Sequence, residues 1–273
     1  MLNLWKEHGH KVNKSAVVED PAQFEMGGIH VSGALLVYRS PDEKREDVER
    51  EMAELFKSLP LRRHLSVLVE EEKASELVAI HVRRGDLVSY GRAILKALKA
   101  GNQNLVQAKF RMLMAKTVPI DAYSTYLEKS GNAALFFSDD DDVAQALCDR
   151  SGPTGSRVYR CSDETIFPIE RDFVTMLVMG QCREIVGGGS VYARFAASTT
   201  AKPLRDLRAL VTWRDYVEMI WDECLDPEKD KEFVSDRSRY TQMLIDAITA
   251  DEQFYKVVKR ITSKAANNGP PGM

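Results

Sequence analysis

The sequence predicts an α/β protein: a Rossmann-like parallel sheet with helices on both faces, followed by a helical C-terminal extension. Three observations carry that reading. Apolar runs at 77–82, 133–137, 157–160 and 184–186 alternate with stretches of helical periodicity between residues 77 and 198. Such alternation is the mark of parallel strands joined by crossover helices. Second, three of these runs stop abruptly in polar or glycine residues: Arg83-Arg84-Gly85-Asp86, Ser138 with Asp139 to Asp142, and Gly187-Gly188-Gly189-Ser190. Third, from residue 202 onward the apolar positions recur mostly at helical spacing, with a charged break at 226–231.

In chain order, residues 1–33 show turn signals at Met26-Gly27-Gly28 and Ser32-Gly33 but little periodicity. His8, His10 and His30 share no spacing that would gather them on one metal. A short strand is expected at 34–38. Ser40 then starts a helix, with Pro41 at its first position and Glu43 completing a capping box. Val48, Met52, Leu55 and Phe56 form its apolar stripe. Residues 65–69 fit strand or helix equally. Residues 77–82 form a buried strand interrupted only by His81. Two helices follow over 92–117, broken near Gly101-Asn102, and Pro119 opens another. After the strand at 133–137 comes a helix through Val143, Ala146 and Leu147. A helix at 172–179 precedes the strand at 184–186, and another occupies 191–197. Trp213, Tyr216, Ile220 and Trp221 lie on one helical stripe, read as packing against the sheet rather than stacking on a nucleotide. Helices are expected at 240–248 and 252–261, and a disordered Gly/Pro-rich tail at 267–273. The domain reading is a short N-terminal segment with a helix (1–75), the Rossmann-like domain (76–200), the helical region (201–266) and the tail.

Composition bounds the chemistry. The chain has 273 residues, 44% hydrophobic and 29% charged, which is ordinary for a globular protein. A net charge of −3 gives no global field toward nucleic acid, so anion binding must come from local patches. Cys148, Cys161, Cys182 and Cys224 have neither CxxC spacing nor a close His partner, and read as reduced structural thiols. No apolar run reaches the roughly 18 residues of a membrane span, and the N-terminus lacks an apolar signal core. A cytoplasmic location is therefore expected.

Parallel strands bring their carboxyl ends to one edge, where ligands of open α/β sheets bind. Arg83, Arg84, Asp139, Asp140 and Ser190 should gather there. Arginine suits phosphate through paired hydrogen bonds; carboxylates suit ribose hydroxyls or base N–H groups. A nucleoside diphosphate fits such a pocket; taken alone, Arg83 and Arg84 fit a solvated turn with two surface arginines as well as a phosphate clamp. Residues 139–142 also fit a helix N-terminus dressed with acid, and a metal-binding DxD reading ranks below both. The glycines at 187–189 fit either a phosphate approach or a tight strand–helix turn.

His81-Val82-Arg83-Arg84-Gly85-Asp86 resembles the HxRRGD signature of the fucosyltransferase superfamily, which includes α1,2- and α1,6-fucosyltransferases and protein O-fucosyltransferases. Phe137-Ser138-Asp139-Asp140 and the stretch CREIVGGGSVYARFAA at 182–197 resemble two further motifs of that superfamily, in the same order. Pro119-Ile120 with Tyr123 is similar to the α1,6 enzymes. The resemblance covers about residues 35–200. It implies a GT-B type nucleotide-sugar domain, GDP-fucose as donor, a glycan or other hydroxyl as acceptor, and no metal or other cofactor. It implies that Arg83 binds the β-phosphate and acts in catalysis, that His81 helps hold the nucleoside side, and that Asp172 contacts guanine. The implied nucleotide-sugar set is His81, Arg83, Arg84, Asp86, Asp139, Asp140, Asp172 and Ser190. Arg183 departs from the acidic residue often found beside that Cys. Only 80 residues precede the first motif, so the acceptor domain is reduced or missing, and a partner chain is an alternative source of acceptor contacts. The residues after Asp86, LVSYGR, carry no Glu to act as general base. A nucleotide-sugar binder without turnover is the alternative to a transferase.

Overall fold

The computed structural model describes residues 29–32, 34–37, 47, 50, 51, 54, 63–151, 155–161, 163 and 165–266. Two short strands, β1 (Ile29–Ser32) and β2 (Ala34–Val37), pair antiparallel. Asp47, Arg50, Glu51 and Glu54 are helical, as the expected Ser40 helix requires. The Ser40 cap, that helix's apolar stripe and the 267–273 tail lie outside the described residues. The ambiguous 65–69 run belongs to α1 (Arg63–Glu71), because Leu65 and Val69, four residues apart, are the positions it buries.

Five strands then form one sheet: β3 (Val78–Val82), β4 (Ala134–Ser138), β5 (Arg157–Val158), β6 (Glu184–Gly187) and β7 (Leu204–Asp206). All neighbours pair parallel, in the order β5-β4-β3-β6-β7. The chain thus builds outward from β3 to β5, then returns to the other side of β3 for β6 and β7. The order reverses between β3 and β6, and the crevice outside their carboxyl ends is where a ligand of such a sheet binds. Strand β7 is the departure from helix within the region after residue 202, which is otherwise mostly helical as expected. Its three residues are too few to show a period, and all are half-buried at the sheet edge.

The helices are α2 (Leu87–Lys99), α3 (Gln103–Lys116), α4 (Ile120–Ser130), α5 (Asp141–Ser151), α6 (Pro168–Gln181), α7 (Val191–Thr200), α8 (Trp213–Asp222), α9 (Lys231–Val234), α10 (Arg237–Thr249) and α11 (Glu252–Ala266). A 3-10 turn, Leu207–Leu210, follows β7. Helix α2 starts at Leu87, earlier than expected, and buries Leu87, Tyr90, Gly91, Ile94, Leu95 and Leu98, a stripe of helical period. Asn102 caps α3 by accepting from the Leu105 N–H at 3.1 Å. Helix α6 also starts earlier than expected, with Pro168 in its first turn and the Glu170 carboxylate accepting from the Phe167 N–H at 3.1 Å.

Strand alternation divides the core in two. Val78, Ile80, Val82, Ala134, Phe136 and Val186 face one cluster, shared with α2 to α5 and the C-terminal helices. Ala79, Leu135, Phe137 and Ile185 face the other, shared with α1, α6 and α7. Trp213 and Trp221 are each 7% exposed within the first cluster, so they are packing residues. The helical extension is therefore a wall of the sheet's own core.

Candidate functional site

The two arginines after β3 do different work. Arg84 continues the parity of Ile80 and Val82 and turns into the helical face. Its guanidinium is 7% exposed and donates to Glu223 Oε2 at 2.6 Å. Glu223 Oε1 in turn accepts from the Ile120 N–H at 3.0 Å. Burial raises the Glu223 carboxyl above its ordinary range, and the adjacent Arg84 charge opposes that rise. Arg84 thus fastens the β3 loop to the helical extension. Arg83 instead stays at the edge, half-exposed, and donates from Nη2 to Asp86 Oδ2 at 3.1 Å.

The acidic run is divided as well. The Asp139 carboxylate accepts from the backbone N–H groups of Arg84 at 2.6 Å and Gly85 at 2.8 Å. A Cβ at position 85 would lie 2.7 Å from Asp139 Oδ2, so the glycine permits this grip. Asp140 accepts from the Val143 N–H at 3.1 Å and caps α5. Asp141 pairs with Arg160 at 3.3 Å on the surface. Asp139 and Asp140, expected among the ligand contacts, are committed to shaping the loop and the helix start. The glycine turn after β6 is likewise a close-packing device: a Cβ at Gly189 would meet Ala115 O at 2.2 Å and Arg208 Nη1 at 2.6 Å.

His81 lies on the opposite face from Arg84, in register with Gly187 of β6. Its ring stacks on Tyr192, the second residue of α7, with centroids 5.7 Å apart. The Tyr192 hydroxyl donates to the backbone carbonyl of Asp172 at 2.5 Å, and the Asp172 side chain is exposed. Asp172 therefore stands one residue contact away from His81. Burial lowers the His81 pKa to about 4; Arg83 acts in the same direction and Asp139 against it. The imidazole is neutral at pH 7.

Five buried side-chain N or O atoms have no hydrogen-bond partner among the described residues, and three of them, His81 Nδ1, Arg83 Nε and Ser190 Oγ, belong to residues in or just after β3 and β6. The others are Ser124 Oγ and Trp221 Nε1. His81 and Ser190 are only 8% and 3% exposed, so their side chains are largely withdrawn from bulk solvent. Ser190 precedes α7 without capping it through its side chain. All three belong to the ends of β3 and β6, where the strand order reverses.

Three participants escaped the sequence reading. Tyr192 follows the glycine turn and had no motif signal of its own. Arg208, held in a two-pronged pair with Asp206, reaches the same turn only because β7 exists. Lys116 closes α3, donates to the Tyr90 hydroxyl at 2.9 Å, and approaches Asp86 Oδ2 at 3.6 Å.

The four cysteines are free thiols; Cys182 and Cys224 are buried, and burial pushes each thiol up to about 12. Among the described residues no three His, Cys, Asp or Glu side chains gather as a metal site. No helix there is long and apolar enough to cross a membrane. No protein-family model, curated protein or solved structure matches this chain. Fold and site together define a Rossmann-like α/β protein with unsatisfied buried polar atoms on residues at the ends of the two strands where its order reverses.

Proposed function

We propose that this chain is a glycosyltransferase that moves L-fucose from GDP-fucose to a hydroxyl of a glycan or other acceptor, with inversion at the sugar. The observation that carries the reading is the group of orphaned buried atoms, His81 Nδ1, Arg83 Nε and Ser190 Oγ, at the reversal point. The HVRRGD resemblance supplies the substrate class. Arg83 binds the β-phosphate, Ser190 and His81 complete the donor contacts, and the exposed Asp172 carboxylate faces the guanine N–H edge. Arg84, Asp139 and Asp140 hold the loop that presents Arg83.

The acceptor hydroxyl oxygen attacks the anomeric carbon as the bond to the β-phosphate oxygen breaks, so that GDP departs with the bonding pair and the hydroxyl proton passes to solvent. Negative charge grows on the departing GDP, and a guanidinium already held in place binds that charge more strongly in the transition state than in the ground state. His81, neutral at pH 7, serves as a hydrogen-bonding partner. A donor binder without turnover is the second reading, favoured by the absence of a carboxylate in LVSYGR after Asp86.

Calorimetry and thermal shift with GDP, UDP and ADP test the reading, since a ligand of the native state raises apparent stability. GDP is expected to bind tightest. Arg83→Ala should weaken GDP binding roughly ten- to a hundredfold, the value of a charge-assisted hydrogen bond of about 1.5–3 kcal/mol, with unchanged circular dichroism. Equal binding of all three nucleotides defeats the guanine assignment, and unchanged GDP affinity in Arg83→Ala defeats the phosphate clamp. Fucose transfer to an acceptor panel separates the transferase from the silent binder.

A further inference from the structure

We infer that Lys116 is a second phosphate-binding cation of this site, and that Asp86 is an internal counter-ion which an incoming diphosphate displaces. The inference rests on the nucleotide-diphosphate reading above and adds the device that regulates access to it.

The geometry converges on one oxygen. Arg83 Nη2 is 3.1 Å from Asp86 Oδ2, and Lys116 Nζ is 3.6 Å from the same atom. An anionic oxygen between a guanidinium and an ammonium occupies the position that a phosphate oxygen takes in a two-cation clamp. The side chains are 36%, 39% and 42% exposed for Arg83, Lys116 and Asp86, so the group opens to solvent and a ligand can reach it. Lys116 is steadied by its bond to the Tyr90 hydroxyl and lies over that ring at 5.4 Å. Among the described residues Arg83 gives one hydrogen bond, from Nη2 to Asp86, so most of the guanidinium N–H donors remain for a second anionic group.

Asp86 is suited to leave. It stands at the N-terminus of α2, yet its side chain makes no capping hydrogen bond there. A carboxylate near a helix N-terminus is favoured by the backbone dipole, so release from the cations leaves it beside that N-terminus rather than stranded. A diphosphate carries more negative charge than one carboxylate and offers several oxygens to both cations at once. The ion pair it displaces is a part-exposed one, of the kind worth little on its own. The exchange therefore favours the ligand while leaving the cations paired, and the loop ordered, when the site is empty.

The test is calorimetric titration of inorganic pyrophosphate and of GDP into the full chain, for wild type, Asp86→Asn and Lys116→Gln, with circular dichroism to verify folding. Asp86→Asn keeps shape and removes the competing charge; it should bind both probes roughly two- to fivefold tighter, the release of one part-exposed ion pair. Lys116→Gln should bind both more weakly and show a shallower dependence of affinity on salt, because one cation fewer meets the anion. Weaker binding in folded Asp86→Asn, or unchanged affinity and salt dependence in Lys116→Gln, overturns the inference while leaving the nucleotide reading intact. Pyrophosphate binding with these variant effects but no preference for GDP defeats the guanine reading and sustains the counter-ion. Failure of wild type to bind either probe overturns both.

Discussion

At the residue scale, His81 shows how a polar side chain inside an apolar strand is decided by its surroundings. The sequence showed a histidine among Leu77, Val78, Ala79, Ile80 and Val82, and by itself that fits a satisfied core residue or a ligand contact. In the structure its Nδ1 has no partner among the described residues and its pKa falls to about 4 through burial. The unfolded chain takes up a proton on this imidazole near pH 6.5, while the folded chain refuses it until pH falls toward 4. The stability associated with neutral His81 is thus fully present above pH 6.5 and lost as pH falls from there toward 4. The slope is at most about 1.4 kcal/mol per pH unit, or about 2 kcal/mol between pH 6.5 and 5. His81→Gln should flatten the urea-denaturation stability profile over this window relative to wild type. Parallel profiles for the two proteins would show that His81 is not held neutral. The same scale separates Arg83 from Arg84: adjacent letters in sequence, opposite sides of the strand in space.

At the element scale, the buried pair between Arg84 and Glu223 joins the β3 loop to the segment just after α8. The sequence reading placed Arg84 at the ligand and did not foresee this pair, whose partner lies 139 positions away and is announced by no local pattern. Asp139 and Asp140 were ambiguous for a different reason. A helix N-terminus and a ligand pocket favour the same residue types, and only the bonds to the Arg84, Gly85 and Val143 N–H groups tell them apart. Removing one member of the buried pair strands the other without its countercharge. Arg84→Ala or Glu223→Ala should therefore cost about 3–5 kcal/mol of stability in chemical denaturation. Arg84→Met combined with Glu223→Leu should recover much of that loss, because the cost lies in the unpaired charge and not in the missing bond. Loss of GDP affinity in Arg84→Ala with full stability retained would return Arg84 to the ligand-contacting set.

For the whole molecule, alternation of strand and helix made the parallel sheet legible, and the polar stops after β3, β4 and β6 marked its carboxyl edge. The order β5-β4-β3-β6-β7 was not legible, since pairing between strands is fixed by packing far along the chain. Nor was β7, whose three residues carry no period. That missing strand is why Asp206 and Arg208 went unread. The assembled edge also bears on metal dependence. Its carboxylates are largely occupied: Asp139 by backbone N–H groups, Asp140 by the α5 cap, Glu223 by Arg84 and Asp206 by Arg208. Arg83 and Lys116 meanwhile bring two cations to a single carboxylate oxygen. In a chain of net charge −3 these two side-chain cations, on the proposed reading, would stand against a pyrophosphate where a divalent ion otherwise would. GDP affinity should therefore change by less than about twofold between EDTA and millimolar magnesium or manganese, and fucosyl transfer should persist in EDTA. Metal would have to enter through the acidic residues 139–142, and releasing Asp139 for that role would give up its bonds to the Arg84 and Gly85 N–H groups. Activity or GDP binding abolished by EDTA and restored by manganese would show that this rearrangement occurs and that the aspartates, not the side-chain cations, carry the diphosphate.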